Sequence, residues 1–185
     1  MKINKRGFWE NETTIGHHND IPLCHVLVNF LKNSKIKTLL DLGCGPAFYV
    51  SNIAEEGISC EAYDGNPNTP ELTNGLGQVK DLSVDFDLGK KYDFVLSLEV
   101  GEHIPQEFED IFINNVLKHS SKYVLLSWAI PRQGGDGHFN EQPNNYIINK
   151  ITALGFEYDK ELSQEFRKNA KAHWFKNTLM LFKKK

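Results

Sequence analysis

Thr38-Leu39-Leu40-Asp41-Leu42-Gly43-Cys44-Gly45-Pro46-Ala47 reads as a buried strand that runs into a glycine turn and then a helix. The apolar residues Ile36, Leu39, Leu40 and Leu42 form a run too short for a helix and cut off by glycine, as in a central parallel strand covered on both faces. Gly43 and Gly45 allow a sharp turn and a close approach of backbone to ligand. Pro46 suits the first position of the following helix, where its missing N–H costs nothing. Strand, Gly-x-Gly turn and helix together point to a nucleotide-like cofactor and to nothing narrower.

Asp41 narrows it. In a dinucleotide site the turn and the helix N-terminus receive a pyrophosphate. A carboxylate two residues before the first glycine would repel those charges, so Asp41 points to a ligand carrying positive charge there. The third glycine of the dinucleotide fingerprint is also missing, with Phe48 in its place. S-adenosylmethionine has no phosphates and carries an ammonium and a sulfonium. On these residues the chain resembles the class I S-adenosylmethionine-dependent methyltransferases, whose first motif has the form Asp-x-Gly-x-Gly. The resemblance implies an α/β fold: a doubly wound, mostly parallel seven-stranded sheet with helices on both faces and an antiparallel last strand. It further implies that Asp41, Gly43 and Gly45 hold the methionine part of the cofactor.

The 185 residues suit one domain, here 20–185, preceded by a polar segment over 1–19 that contains Phe8, Trp9 and the pair His17-His18. In the resembled family such a segment folds over the cofactor as a lid. Hydrophobic content of 40% and charged content of 24% are those of an ordinary globular protein. No window approaches the length of a membrane span, and no apolar core follows Met1-Lys2-Ile3-Asn4-Lys5-Arg6 as in a secretory signal. The three cysteines, Cys24, Cys44 and Cys60, have neither metal-ligand spacing nor an even count for disulfides, so a cytoplasmic location is expected. A formal net charge of −3 argues against a nucleic-acid partner and for a small-molecule substrate.

Along the chain, Asp20 is a candidate N-cap for a helix ending near Asn33-Ser34. After the opening strand a helix ends at Gly57, and Ile58 to Tyr63 form the second strand, joined to the first by a right-handed crossover. Asp64 follows at its carboxyl end, about 20 residues past the glycines, where an acid accepts the ribose hydroxyls. Gln78-Val79-Lys80 is the edge strand, and the resemblance gives Asp81 the adenine amino group, with Asp85 and Asp87 as close competitors. Tyr92 to Leu98 make the fourth strand, on the other side of the first, so the ligand crevice lies where the strand order reverses. A helix over Ile104 to Leu117, a fifth strand over Tyr123 to Ile130 and a helix over Gln142 to Leu154 follow, the last with Tyr146, Ile147, Ile151 and Leu154 inward. Phe156 to Tyr158 and Thr178 to Phe182 complete the sheet.

The fourth strand runs into Glu99-Val100-Gly101-Glu102-His103. Helix capping accounts for the two acids but not for a histidine at a helix N-terminus. In class I methyltransferases this position lies near the transferred methyl, which makes His103 a candidate general base for a hydroxyl or amine, with Glu102 beside it and Glu99 at the cofactor. Past the fifth strand, three glycines within Gly134-Gly135-Asp136-Gly137 make a loop able to approach a ligand and bring His138 to the same rim. Glu99, Glu102, His103 and His138 together match a Glu-x-x-Glu-His…His pattern similar to that of metal-dependent 2′-O-methyltransferases acting on small-RNA ends. Those ligands suit Mg²⁺ or Mn²⁺ with open positions for a diol. Metal-free small-molecule methyltransferases carry a similar acid–histidine pair.

The expected function is methyl transfer from S-adenosylmethionine to oxygen or nitrogen of a small metabolite, a sugar or other hydroxylated compound among them. His103, Glu102 and His138 then face the acceptor. Trp9, His17, His18, His173 and Trp174 are candidates for closing over the rim. The alternatives are the metal-dependent enzyme on a ribose diol, a nicotinamide-dependent reductase and a cofactor-binding regulatory subunit without catalysis.

Overall fold

The computed structural model describes residues 2–10 and 13–185. Helix α1, Ile21–Asn33, begins as its cap predicts: the Asp20 carboxylate accepts from the Leu23 amide at 3.0 Å, an arrangement worth about 1 kcal/mol. Its other oxygen accepts from the Lys171 and Ala172 amides at 2.8 and 2.7 Å, tying the helix start to a distant loop. Strand β1, Thr38–Leu42, is buried from Leu39 onward. Alternation along it sends Leu39 to one core and Leu40 and Leu42 to the other.

Helix α2, Phe48–Glu55, starts two residues later than Pro46 would have it. Gly45 and Ala47 both take left-handed backbone conformations, so Pro46 sits within the turn and Ala47 caps the helix. Strand β2, Ser59–Asp64, pairs parallel to β1, and after the short helix α3, Thr69–Leu72, edge strand β3, Gly77–Val79, pairs with β2. Strand β4, Tyr92–Ser97, lies on the other side of β1, as expected of a doubly wound sheet.

The single helix expected over Ile104 to Leu117 is broken. Two 3₁₀ turns, Gly101–His103 and Gln106–Phe108, precede helix α4, Glu109–Lys118. Pro105 is the cause: it forces Ile104 into extended backbone, φ −75° and ψ 120°, and α-helix resumes only after it. Strand β5 spans Ser120–Leu126, not Tyr123 to Ile130. The apolar run continues to Ala129 because Trp128, fully buried, packs against the turn at Gly101, where a Cβ would come within 2.1 Å of the indole.

Helix α5, Asn144–Ala153, buries Ile147 and Ile151, whereas Tyr146 and Leu154 are 37% and 49% exposed. Ile148 packs beside them against the same core, and the Tyr146 hydroxyl instead reaches Glu109 at 2.7 Å. Strand β6, Phe156–Asp159, leads into α6, Lys160–Asn169, which sequence reading left out. Its signals are present: Asp159 caps Leu162 at 2.9 Å, and Leu162 and Phe166 recur at helical spacing. Helix α7, Phe175–Thr178, and strand β7, Met180–Lys184, end the chain. The sheet order is β3-β2-β1-β4-β5-β7-β6, with β7 antiparallel to both neighbours. Helices cover both faces, and the strand order reverses between β1 and β4. No helix among the described residues is long and apolar enough to cross a membrane.

Candidate active site

At the β1–β4 reversal the carboxyl ends of the strands open into a cavity of about 490 Å³. Gly43 and Gly45 form its floor at φ +87° and +51°. Their freedom is required. A Cβ on Gly43 would meet Val100 Cγ2 at 2.2 Å, and one on Gly45 would meet the His17 Nδ1 at 2.7 Å. The Gly43 and Cys44 amides donate to the Tyr63 carbonyl at 2.8 and 3.2 Å, and the Gly45 amide donates to the Asp64 carboxylate at 2.9 Å. Asp64, at the end of β2, therefore fixes the turn; its second oxygen accepts from the Asn66 amide at 2.9 Å.

Asp41 lines the cavity beneath the turn and is 3% exposed. Burial, with the Asp64 charge adding to it, pushes its carboxyl up to about 8. Asp81 lines the same cavity and accepts from the Ser83 amide and hydroxyl at 2.9 and 2.6 Å. Its competitors do not: Asp85 and Asp87 have side chains 73% and 78% exposed and lie outside the lining.

Beyond β4 the backbone of Glu99 turns left-handed, φ +52°. Its carboxylate accepts from Gln133 Nε2 at 2.6 Å and from the Thr178 hydroxyl at 3.3 Å. The first 3₁₀ turn then carries Glu102, fully buried, and His103. Neither Glu102 oxygen makes a hydrogen bond of ordinary geometry, and burial, followed by the nearby Glu99, holds its carboxyl well above the usual range; the Glu102 and Ala129 amides offset this in part. His103 Nδ1 lies 3.1 Å from the Gly137 carbonyl. Burial and the neighbouring rings of His138 and His17 lower its pKa to about 4, so the ring is neutral at physiological pH.

The loop over 131–142 supplies His138, whose ring stands edge-on to His103 at 4.9 Å. Glu141 orders this loop: it accepts from the Arg132 and Gly134 amides at 2.7 Å each and from His138 Nδ1 at 3.0 Å. Ligand atoms of Glu102, His103 and His138 all lie within 4.8 Å of one another. Glu99, the fourth residue of the expected set, falls outside this group of three, although its carboxylate lies beside that of Glu102. The Glu99 oxygens accept from Gln133 and Thr178.

The N-terminal segment covers this rim; of 1–19, residues 1, 11 and 12 lie outside the described residues. Ile3 and Trp9 form an antiparallel bridge, and Trp9 contacts the rings of His17 at 5.1 Å and His103 at 5.5 Å. Arg6 pairs with Asp81 at 3.1 Å. Backbone contact is close: a Cβ on Gly7 would lie 1.9 Å from the His103 carbonyl oxygen, and one on Gly65 2.4 Å from Phe8 Cβ. At the far wall Trp174 meets His18 at 5.4 Å and His173 at 4.8 Å. Five of the seven histidines line this one cavity, which makes it the candidate site. Arg6 and Gln133 were not foreseen as site residues, because each acts through a partner remote in sequence; Glu141 acts on His138 three residues away, and nothing in the loop's sequence sets it apart from a solvated acid.

A family model described as a methyltransferase domain matches residues 15–127. A ubiquinone biosynthesis O-methyltransferase of Rickettsia typhi is 30% identical over 111 residues, 56% of this chain and 39% of that protein, so the chain spans less than half the relative's length. Among solved structures, the sugar N-methyltransferase of a Streptoalloteichus species superposes with a TM-score of 0.70 at 13% identity, covering 89% of this chain and 87% of that one. The magnesium protoporphyrin IX methyltransferase of Synechocystis, solved with bound S-adenosylhomocysteine, gives a TM-score of 0.67 at 16% identity, covering 88% and 82%. These two likenesses show a shared fold.

Proposed function

The chain belongs to the methyltransferase-domain family, and from that premise we propose that it transfers a methyl group from S-adenosylmethionine to an oxygen or nitrogen of a small hydroxylated metabolite. One observation carries the reading: the glycine turn with Asp41 and Asp64 shares one cavity with Glu99, His103 and His138, and the buried Glu102 stands behind the two histidines, its ligand atom within 4.8 Å of theirs. The cavity has the size of a cofactor pocket. Its floor is bare backbone that a Cβ would fill, and its buried Asp41 gains most from a cationic ligand.

When bound, the cofactor supplies an electrophilic methyl carbon. Asp41, Gly43 and Gly45 hold its methionine part, Asp64 the ribose hydroxyls and Asp81 the adenine edge, with Glu99 at the reacting end. In this structure Asp64 already accepts from the turn and Asp81 from Arg6, so both carboxylates are held in place for a ligand's donors. His103, neutral and with Nδ1 facing a carbonyl, offers Nε2 to a proton from the acceptor. Trp9 and His17 exclude water from that end. The acceptor is a small molecule and not a nucleic acid, in keeping with the net charge of −3; all three cysteines are free thiols, and we place the enzyme in the cytoplasm. Calorimetry tests the cofactor: S-adenosylmethionine and S-adenosylhomocysteine bind with micromolar affinity and NAD does not. The opposite order of binding overturns the reading.

A second reading adds a divalent ion at Glu102, His103 and His138. It is favoured by the Glu102 carboxylate, which is buried with neither oxygen in a hydrogen bond of ordinary geometry and gains a partner from a cation. His103 and His138 each have Nδ1 held by an oxygen, the arrangement that presents Nε2 to a metal. Mn²⁺ or Mg²⁺ there would hold a vicinal diol. Full activity in EDTA, with no Mn²⁺ bound in calorimetry, decides for the metal-free base.

A further inference from the structure

Asn140 is 3% exposed, and each of its polar groups is engaged. Its amide donates to the Glu102 carbonyl at 2.9 Å, and its carbonyl accepts from Trp128 Nε1 at 2.6 Å. Oδ1 accepts from Gln142 Nε2 at 2.7 Å, while Nδ2 donates to Glu109 Oε2 at 2.7 Å. Glu109, the first residue of α4 and 1% exposed, takes the Tyr146 hydroxyl at 2.7 Å and the Lys150 ammonium on its other oxygen. A buried ion pair is weak evidence for stability, since desolvation offsets the attraction. The network therefore calls for a reason in geometry.

That reason lies at the other end of Asn140. Gly134, Gly135 and Gly137 make the loop costly in entropy to order. The Phe139 and Asn140 amides both donate to the Glu102 carbonyl, at 2.8 and 2.9 Å, and so register the loop against the turn that carries His103. In that register the Gly137 carbonyl meets His103 Nδ1 at 3.1 Å, an approach that φ +79° at Gly137 helps to shape. A carbonyl can only accept, so Nδ1 carries the proton and Nε2 keeps the lone pair.

We infer that Asn140, held by Glu109, is a positioning residue that sets the tautomer of His103 through the Gly137 carbonyl. The inference deepens the proposed function, because it rests on His103 being the acceptor-side residue; the tautomer itself can be read with no acceptor and no methyl transfer. The test is ¹⁵N–¹H correlation of the imidazoles at neutral pH, in wild type and variants that bind S-adenosylhomocysteine equally.

In wild type His103 is almost wholly the Nδ1–H form. Asn140→Ala converts it to a mixture of both forms, while Tyr146→Phe, which loosens Glu109 without touching Asn140, leaves it unchanged. Should Asn140→Ala fail to fold, the near-isosteric Asn140→Asp decides, since it sets a carboxylate against Glu109 in place of the hydrogen bond. Adding Glu109→Gln to Asn140→Asp reverses donor and acceptor and restores the Nδ1–H form. A folded Asn140→Ala or Asn140→Asp with the wild-type tautomer, or a double variant that restores nothing, overturns the inference.

Discussion

At the scale of single residues, two buried groups give the site opposite responses to pH. His103 has its pKa lowered to about 4, so between there and the ordinary value of 6.5 the unfolded chain binds the proton and the folded one does not. Its contribution to stability is complete above 6.5 and is lost as pH falls toward 4. Asp41 works in reverse. With its carboxyl raised to about 8 from 3.8, the folded state keeps a proton that the unfolded state releases, so stability is lost as pH rises toward 8. Between 4 and 6.5 the two oppose each other; above 6.5 the loss at Asp41 is no longer balanced by His103. The cofactor-free protein is therefore expected to lose stability from pH 6.5 to 8. Asp41→Asn should flatten that slope and gain at least about 1 kcal/mol at pH 8, a rise in Tm of about 2–4 °C. The same change should weaken S-adenosylhomocysteine by about tenfold or more, through loss of a charge-assisted contact. A gain in stability at the expense of binding is the mark of a group kept for function.

At the scale of elements, the N-terminal segment and the loop over 131–142 close the cavity from two sides and meet at His103. The segment's ion pair, Arg6 with Asp81, has side chains 37% and 30% exposed and contributes at most about 1 kcal/mol. Close packing at Gly7 is the stronger constraint, since a side chain there would strike the His103 carbonyl, and φ +99° disfavours one besides. Gly7→Ala should therefore undock the segment and leave the sheet intact. Expected are faster proteolysis within 2–19, S-adenosylhomocysteine dissociation faster by about tenfold, and a change in Tm of less than about 3 °C, because few core contacts are lost. Wild-type dissociation rates in the variant would show that the segment does not gate the cofactor. Boundaries of elements were legible where a local signal decides them: the Asp20 cap and the left-handed Gly57 mark two helix ends as expected. They were misplaced where a neighbour decides. Pro105 split one helix, and Trp128 prolonged an apolar run without pairing in the sheet.

At the scale of the whole molecule, sequence alone determined the first half of the sheet and which residues lie at its carboxyl edge. Strand, glycine turn and helix follow one another within 18 residues, so pattern and turn stereochemistry specify β1, the turn and α2 without help from elsewhere. The doubly wound order that the resemblance implies places β2 and β4 on either side of β1, and the fold has that order, with Asp41, Asp64 and the end of β4 at one crevice. Tertiary structure decided which polar residues share an environment. Glu99, Glu102, His103 and His138 make one pattern along the chain; in the fold Glu102, His103 and His138 have ligand atoms within 4.8 Å of one another, while Glu99 accepts from Gln133 and Thr178. Asp85 and Asp87 were close competitors of Asp81 in sequence, and of the three only Asp81 lines the cavity. The physical reason is one of range. Backbone preference and hydrophobic period act over a few neighbouring residues, whereas burial, proton affinity and side-chain partnership depend on groups that the fold brings together from far along the chain.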